Sequence, residues 1–311
     1  MMKLKLSLRN SVKTALTTTL SLKLKTLRLL PLLSLIPLLA VSCDTVRNPT
    51  YTTENLSDSL IKICQKEYSI PIAAKLEKKT LWVYLPLEEE IFIDSDKPQE
   101  STKIFEFNSI EGSLLDSIFS FDYDILAVGE TKELQNKKIN PQATKKMQKV
   151  FSALRRVILS LKHSDDEPLF FVTVTADIKN GLELIEITYI DDLKKALYGM
   201  ISITEYQHRS LQDLRISFEA IGDKEGTHVK FQDIKLNDFL IEQIRQRVRS
   251  KFQRPEVQKE ADIDKEVIRS ISHVFEIYKF NGFSMLELKN LVTGNKLSLS
   301  LQALLEKVKE K

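Results

Sequence analysis

The chain has 311 residues, of which 42% are hydrophobic and 29% charged, with eight glycines and nine prolines. This composition is typical of a globular protein and excludes collagen-like, low-complexity and wholly disordered chains. Two cysteines exclude a disulfide-rich scaffold or a zinc module built on several cysteines. The net charge of +3 is unevenly distributed, because residues 1–42 contain seven basic residues and no acid. Without those seven, 39 basic residues face 43 acidic ones, so the body is mildly acidic and gives no support to nucleic-acid binding.

An apolar run over residues 29–41 follows the basic lead-in. It is too short for a transmembrane helix, which needs about 20 apolar residues, and a basic, then apolar, then small-residue order is typical of a secretory signal peptide. The run ends in Leu39-Ala40-Val41-Ser42-Cys43. This ending resembles the lipobox of bacterial lipoproteins. The resemblance covers residues 1–43 only, and it implies cleavage between Ser42 and Cys43 and lipidation of the Cys43 thiol.

The resemblance further implies a protein anchored by lipid in the membrane of the bacterial cell envelope, facing the extracytoplasmic side. Residues 1–28 also have the acid-free composition of an organelle transit peptide, but that alternative leaves the apolar run and Cys43 unexplained. Residues 1–42 are thus predicted to be a removed signal peptide, 43–53 the lipidated cysteine and a polar tether, and 54–311 a globular body. Whether that body divides into two subdomains near residue 135 stays open. Cys64, the remaining thiol, is predicted to be buried on a helix.

In the first half of the body, helical spacing of apolar residues predicts a helix over 54–68, which Pro71 ends. Apolar stretches at 72–76 and 81–85 flank a charged turn and predict a hairpin. Short strands are expected around 91–93, 104–107 and 124–128. The clearest helix follows over 140–161, where Asn140 is placed to cap it and Pro141 occupies the first turn.

In the second half, β-rich runs at 169–178 and 182–190 flank Asn180-Gly181, the strongest short hairpin signal. Asp191 or Asp192 is expected to cap a short helix, and another helix is predicted over 204–213. Runs at 214–220 and 228–234 predict a further hairpin. Helices at 237–252 and 262–278, a hairpin of 286–292 with 296–301, and a helix at 301–309 follow. Hairpins interleaved with amphipathic helices predict an α+β fold with a mainly antiparallel sheet.

The sequence lacks the motifs of the common enzyme classes: no Gly-rich phosphate loop, no H-E-x-x-H and no G-x-S-x-G. Residues 59–62 match S-x-x-K, but its K-T-G partner is missing. Glu205 and His208 have metal-ligand spacing without a second such pair, so an ion pair of Glu205 with Arg209 is the preferred interpretation. The other histidines have no acidic or thiol neighbour at ligand spacing. We therefore predict no catalytic residue, metal or cofactor.

Charge is segregated within the body. Residues 77–133 contain fourteen acids and five bases, whereas residues 137–162 contain eight bases and no acid. Two interpretations are open: the basic side chains neutralise the acidic segment inside the fold, or they contact anionic lipid headgroups or an anionic envelope polymer. The candidate contact residues come from the 140–161 helix and from a second basic run; they are Lys145, Lys149, Arg156, Arg245 and Arg249.

Two functions remain after these exclusions. The first is a non-enzymatic, lipid-anchored envelope protein that binds or scaffolds a partner, such as an envelope protein or an anionic polymer. The alternative is an envelope hydrolase that acts on lipid or cell-wall polymer with residues that converge only in the folded chain. Titratable groups that converge in a deep pocket would favour the enzyme. A broad apolar surface would favour the binding protein.

Overall fold

The computed structural model describes residues 50–254 and 257–304, apart from the side chain of Gln99. The predicted signal peptide and Cys43 lie outside the described residues. The elements follow in this order: α1 (Leu56–Tyr68), β1 (Ala73–Glu77), β2 (Thr80–Leu87), β3 (Phe92–Leu115), β4 (Ile118–Ile139), α2 (Pro141–Leu159), β5 (Phe170–Asp177), β6 (Leu182–Tyr189), α3 (Ile190–Leu197), α4 (Ile203–Arg209), β7 (Leu211–Ile216), α5 (Leu236–Phe252), α6 (Ile263–Tyr278), β8 (Met285–Asn290) and β9 (Lys296–Ser300).

These elements form an α+β fold with two mixed, mostly antiparallel sheets, which confirms the predicted class. The first sheet has the order β1-β2-β5-β6-β7, and the second has the order β3-β4-β8-β9. Each sheet contains one parallel pair, β2 with β5 and β4 with β8. Among the described helices, none has the length and apolar character needed to cross a membrane.

The helix ends agree with simple capping chemistry. The Asn140 side chain accepts a hydrogen bond from Gln142 N at 2.9 Å, and Pro141 occupies the first turn of α2, as predicted. Asp262 caps α6 in the same way by accepting from Lys265 N at 3.0 Å. The apolar stripe of α2 is buried, and Cys64 is fully buried in α1. Burial raises the pKa of the Cys64 thiol to about 11, and its position in α1 confirms the predicted burial on a helix.

One aromatic cluster joins the first sheet to the helices of the second half of the chain. Phe170 of β5 lies 5.0 Å from Phe239 of α5 between ring centroids, and Phe239 lies 5.7 Å from Tyr278 of α6. Phe105 and Phe119 of the second sheet belong to the same buried core. The helices α5 and α6 therefore share a continuous core with both sheets.

The structure corrects four local predictions. The helix predicted over 204–213 ends at Arg209, and residues 211–213 belong to β7. The short strands expected between 88 and 133 are parts of the long strands β3 and β4, which pair with each other over most of their length. Residues 214–220 and 228–234 do not form a hairpin: β7 pairs with β6, and 228–234 is not a strand. Neither Asp191 nor Asp192 caps α3, because both lie in its first turn and Tyr189 occupies the cap position.

Candidate functional site

The two ends of the first sheet differ in what they carry. At one end, β5 begins and β6 ends in register. The entry of the chain is linked to this end: Thr53 Oγ1 lies 3.2 Å from Ser164 Oγ, Ser164 N donates to Glu167 Oε1, and the other oxygen of Glu167 pairs with Lys194 of α3, which follows β6. Thr50 N donates to Ser160 O at 3.0 Å close by in the chain, and we call this the Thr50 end. At the other end lies the tight turn between β5 and β6, which contains Gly181 and against which Ser217 N donates to Gly181 O at 2.7 Å. We call this the Gly181 end.

Four charged side chains meet near the Gly181 end. His228 Nε2 lies 2.6 Å from Glu183 Oε1, and His228 Nδ1 lies 2.5 Å from Asp223 Oδ2. Arg215 Nε donates to the second carboxylate oxygen of Glu183 at 2.6 Å. Glu183 is fully buried, and the His228 side chain is 7% exposed. We refer to these four residues as the His228 cluster.

The protonation of the His228 cluster follows from its geometry. A carboxylate only accepts hydrogen bonds, so each ring nitrogen of His228 has to donate, and the ring is an imidazolium. Burial opposes this charge, but the hydrogen bonds and charges of Asp223 and Glu183 raise the pKa of His228 above its ordinary value. Burial likewise opposes the Asp223 carboxylate, yet hydrogen bonds from the ring and from backbone N–H groups hold the pKa of Asp223 well below its usual range. Two positive and two negative charges therefore balance in the cluster, in which Arg215 is half-exposed and the other three side chains are buried or nearly so.

The cluster fixes the chain that follows β7. Asp223 accepts from the backbone N–H groups of Glu225, Gly226 and His228 at 3.0, 2.8 and 3.1 Å. Tyr84 O–H donates to Asp223 O at 2.7 Å, and its ring lies edge-on to His228. The segment 217–228 is thus held to the sheet by polar contacts of Asp223, His228 and Tyr84, and it does not serve as the turn of the hairpin predicted for 214–220 and 228–234.

Three large apolar side chains beside this fixed segment face solvent. Phe218 is 80% exposed, and Ile216 and Ile221 are 66% and 50% exposed. Their backbone is tied to the β5–β6 turn, because Gly222 N donates to Ile178 O at 2.8 Å in addition to the bond from Ser217. We call these three residues the Phe218 surface. Apolar side chains held in place in this way offer contact area at a low entropic cost to a binding partner.

The His228 cluster has the composition of an acid–base site but not its accessibility. Both ring nitrogens and both acidic partners are already bonded to one another in the packed interior. A cavity of about 260 Å³ lies elsewhere, lined by Lys251, Val257, Gln258, Glu260, Ala261 and Glu266. Within the described ranges, no group of three or more His, Cys, Asp or Glu side chains is placed to hold a metal ion.

The predicted contact residues of α2 lie on the surface, and part of their charge is paired. Lys145, Lys149 and Arg156 are exposed. Arg156 Nη1 donates to Glu67 of α1 at 2.7 Å, and Lys149 Nζ lies 5.9 Å from the centre of the Tyr68 ring. The neighbouring Lys146 pairs with Glu89 at 2.8 Å. Arg156 thus has an acidic partner in the fold, and contact of Lys145, Lys149 and Arg156 with an anionic surface stays a prediction.

The second basic run is also partly neutralised. Arg245 donates to Glu242 on the same helix, and Arg247 Nη2 lies 3.3 Å from Glu205 Oε1. Burial and the charge of Arg245 lower the pKa of Arg249. Glu205 accepts from Arg209 Nε at 2.8 Å, which is the ion pair preferred above over a metal site. Among the described contacts of Arg245 and Arg249, none involves a basic residue of α2.

Sequence reasoning missed the His228 cluster. Asp223 is five residues from His228 in a loop, and Glu183 is 45 residues away in a strand, so linear spacing gave no ligand or dyad pattern. The available signal was Glu183 itself, an acid within the apolar run of β6. A carboxylate at a sheet position that faces the interior requires a buried partner.

The two mixed sheets and their helices define an α+β protein of the class expected from the sequence. No protein-family model matches the chain, and no curated protein or solved structure does either. The function therefore has to be argued from the geometry of the molecule itself.

Proposed function

We propose that this protein is a lipid-anchored protein of the bacterial cell envelope whose body binds a partner protein rather than catalysing a reaction. The lipobox-like sequence before Cys43 supports the anchor. The binding role is supported by the Phe218 surface, which carries the proposal. Three exposed apolar side chains within six residues are costly to leave in water, and the chain around them is hydrogen-bonded to the β5–β6 turn.

The His228 cluster supports binding more than hydrolysis. A general base needs a nitrogen or carboxylate oxygen within hydrogen-bond reach of a substrate. The polar atoms of the cluster instead hold segment 217–228, which carries Phe218 and Ile221, to the sheet. In this proposal the cluster is the support of a binding surface, and the partner is an envelope protein with an apolar pocket that accepts the Phe218 ring.

The binding proposal is tested by placing a photo-crosslinking amino acid at position 218 in the membrane-bound protein. The matched control is position 115, because Leu115 is 71% exposed and lies on the other sheet. We expect one discrete adduct from position 218 that the additional changes Ile216→Ser and Ile221→Ser abolish, and no such adduct from position 115. Identical adducts from both positions, or none from position 218, would contradict a binding role for this surface.

The anchor is tested separately by metabolic lipid labelling and intact-mass measurement of wild type and Cys43→Ser. We expect a lipid adduct on a mature chain that starts at Cys43, and release of the Cys43→Ser protein from membranes. An unlabelled wild-type protein, or a Cys43→Ser protein that stays bound after a salt wash, would contradict the anchor.

A further inference from the structure

The tether and a helical hairpin leave the body at the same end. The chain enters the body at the Thr50 end, where Tyr51 and Leu161 form an isolated bridge. At this end β6 passes directly into α3, and Ile190 N donates to Leu169 O at 2.8 Å. Lys194 Nζ, one turn further along α3, lies 3.3 Å from Glu167 Oε2. The eight residues of α3 then advance by about 12 Å before the chain turns into α4.

The turn between α3 and α4 is apolar and faces solvent. Tyr198, Met200 and Ile203 are 66%, 71% and 59% exposed. We call residues 198–203 the hairpin tip. Leu159 and Leu169, which flank the entry of the chain at the Thr50 end, are also exposed. Five exposed large apolar side chains therefore lie at the end of the sheet from which the tether leaves.

The hairpin that carries the tip is firmly held. Asp192 of α3 is buried and accepts from Arg209 of α4 and from the Tyr278 hydroxyl, each at 2.8 Å. Tyr206 of α4 is buried, and its ring lies 6.5 Å from that of Phe151 on α2. The exposure of the tip thus belongs to a fixed element rather than to a frayed loop.

Charge at the hairpin is balanced by local ion pairs. Lys194 pairs with Glu167, and Lys195 Nζ lies 2.6 Å from Asp191 Oδ2. The hairpin therefore contacts another surface mainly through its apolar side chains and not through a net charge. The interfacial region of a bilayer suits such a tip, because a tyrosine ring with a polar hydroxyl and flexible apolar side chains partition there.

We infer that the hairpin tip inserts its three apolar side chains into the surface of the bilayer that holds the lipid anchor. This inference rests on the anchor of the proposed function. Six residues separate Cys43 from Thr50, so even a fully extended chain keeps the Thr50 end within about 25 Å of the lipidated residue. The tip lies at that end, whereas the Phe218 surface lies at the opposite end and faces away from the membrane.

The test uses the full-length lipidated protein in liposomes of phosphatidylcholine and phosphatidylglycerol. An environment-sensitive fluorophore is attached to Met200→Cys or, as the control from the opposite end, to Phe218→Cys, both in a Cys64→Ala background. The expected result is a blue-shifted emission at position 200 that a bilayer-embedded nitroxide quenches. The probe at position 218 should instead be quenched by aqueous iodide.

Equal emission and equal iodide quenching at the two positions would overturn the insertion of the tip. A second variant, Tyr198→Ser with Ile203→Ser, should return the emission at position 200 to its value in water; an unchanged blue shift there would also overturn it. The intact mass of the same samples reports lipidation of Cys43 independently. A lipidated protein with a water-exposed tip contradicts only this inference, whereas a protein without lipid contradicts the anchor and the inference together.

Discussion

At the scale of single residues, His228 connects two distant parts of the chain through its side-chain hydrogen bonds. Its two ring nitrogens join Asp223 of the segment after β7 to Glu183 of β6, and Arg215 of β7 completes the charge balance. Buried charges are stable only with such partners, and removing one partner leaves the others unpaired. The stability of segment 217–228 should therefore depend strongly on this one ring.

His228→Gln should lower the free energy of unfolding by about 3 kcal/mol near pH 6, because Glu183 and Asp223 lose a charged partner in the interior. The matched control is His163→Gln. His163 also pairs with a glutamate, Glu167, but its side chain is 95% exposed, so the loss should stay below about 1 kcal/mol. Urea unfolding of both variants measures the difference, and equal losses would show that the cluster contributes no more than a surface pair.

The contribution of His228 should also depend on pH. The pKa of His228 is raised in the folded state, so its stabilisation is complete below the unfolded pKa of about 6.5 and is lost as pH rises through the folded pKa. Asp223, whose folded pKa is lowered, loses its contribution only when pH falls below about 3.8. The stability gap between wild type and His228→Gln should therefore narrow above pH 6.5; a gap that widens there would contradict an imidazolium.

Glu186 on β6 should give the same direction of pH dependence as His228, but its replacement should stabilise the protein. Burial raises its pKa from 4.5 to about 7, so the folded state holds a proton that the unfolded state has released, and stability falls as pH rises from 4.5 to 7. Glu186→Gln should remove this loss and stabilise the protein by about 2 kcal/mol at pH 8, with little effect at pH 4.5. Urea unfolding at the two pH values tests the sign, and an equal effect at both would refute it.

At the scale of elements, the loop over Tyr84 depends on a close backbone approach. Gly226 has a φ of +73°, and a Cβ there would lie 2.7 Å from the Tyr84 ring. Gly222 has a similar φ of +77°, but a Cβ there would meet nothing within 4 Å. An alanine at Gly222 therefore tests only the cost of the positive φ, whereas an alanine at Gly226 tests that cost together with the clash with the Tyr84 ring.

Gly222→Ala should lower stability by only about 1 kcal/mol, the usual cost of a left-handed conformation. Gly226→Ala should cost about 2 kcal/mol more, because the Tyr84 ring has to move and its bond to Asp223 is disturbed. Thermal or urea unfolding measures both. Equal losses would mean that the loop is free to shift away from the ring.

The elements that sequence reasoning predicted well are those with local signals. The caps and stripe of α2 and the Asn180-Gly181 turn lie within a few residues of the structures they specify. The prediction was wrong for residues 228–234, although their composition is β-rich. The backbone of this segment bonds to side chains of β2 and not to a neighbouring strand: Trp82 Nε1 donates to Gln232 O at 2.8 Å, and Ile234 N donates to Thr80 Oγ1 at 2.8 Å. Likewise Asp192 looks like a cap but pairs with Arg209 and Tyr278. Such long-range partners leave no linear pattern.

At the scale of the whole molecule, the body should unfold as one cooperative unit. The Phe239 ring contacts Phe170 and Tyr189 of the first sheet and Tyr278 of α6, and the buried cluster around it reaches Phe105 and Phe119 of the second sheet. A break between subdomains would have to pass through this cluster.

Phe239→Ala should lower the stability of the body by about 4 kcal/mol. The unfolding transition followed by the fluorescence of Trp82, which lies in the first sheet, and the transition followed by far-UV circular dichroism should shift together. Phe218→Ala is the matched control, because its ring is exposed, and the change should be below about 0.5 kcal/mol. Separate transitions for the two signals would show two independently unfolding parts.

For the membrane anchor proposed above, the outer strand β3 has a further consequence. Proteins held on one surface collide far more often than in solution, and an open strand edge invites them to join into larger sheets. β3 is the edge strand of its sheet, and it carries Pro98, a row of charged side chains and three breaks in register, between Asp94 and Gln99, Lys103 and Phe105, and Phe107 and Ser109. These features disfavour pairing of β3 with the same strand of another copy. We therefore expect the proposed membrane-bound protein to stay monomeric even when many copies share one surface.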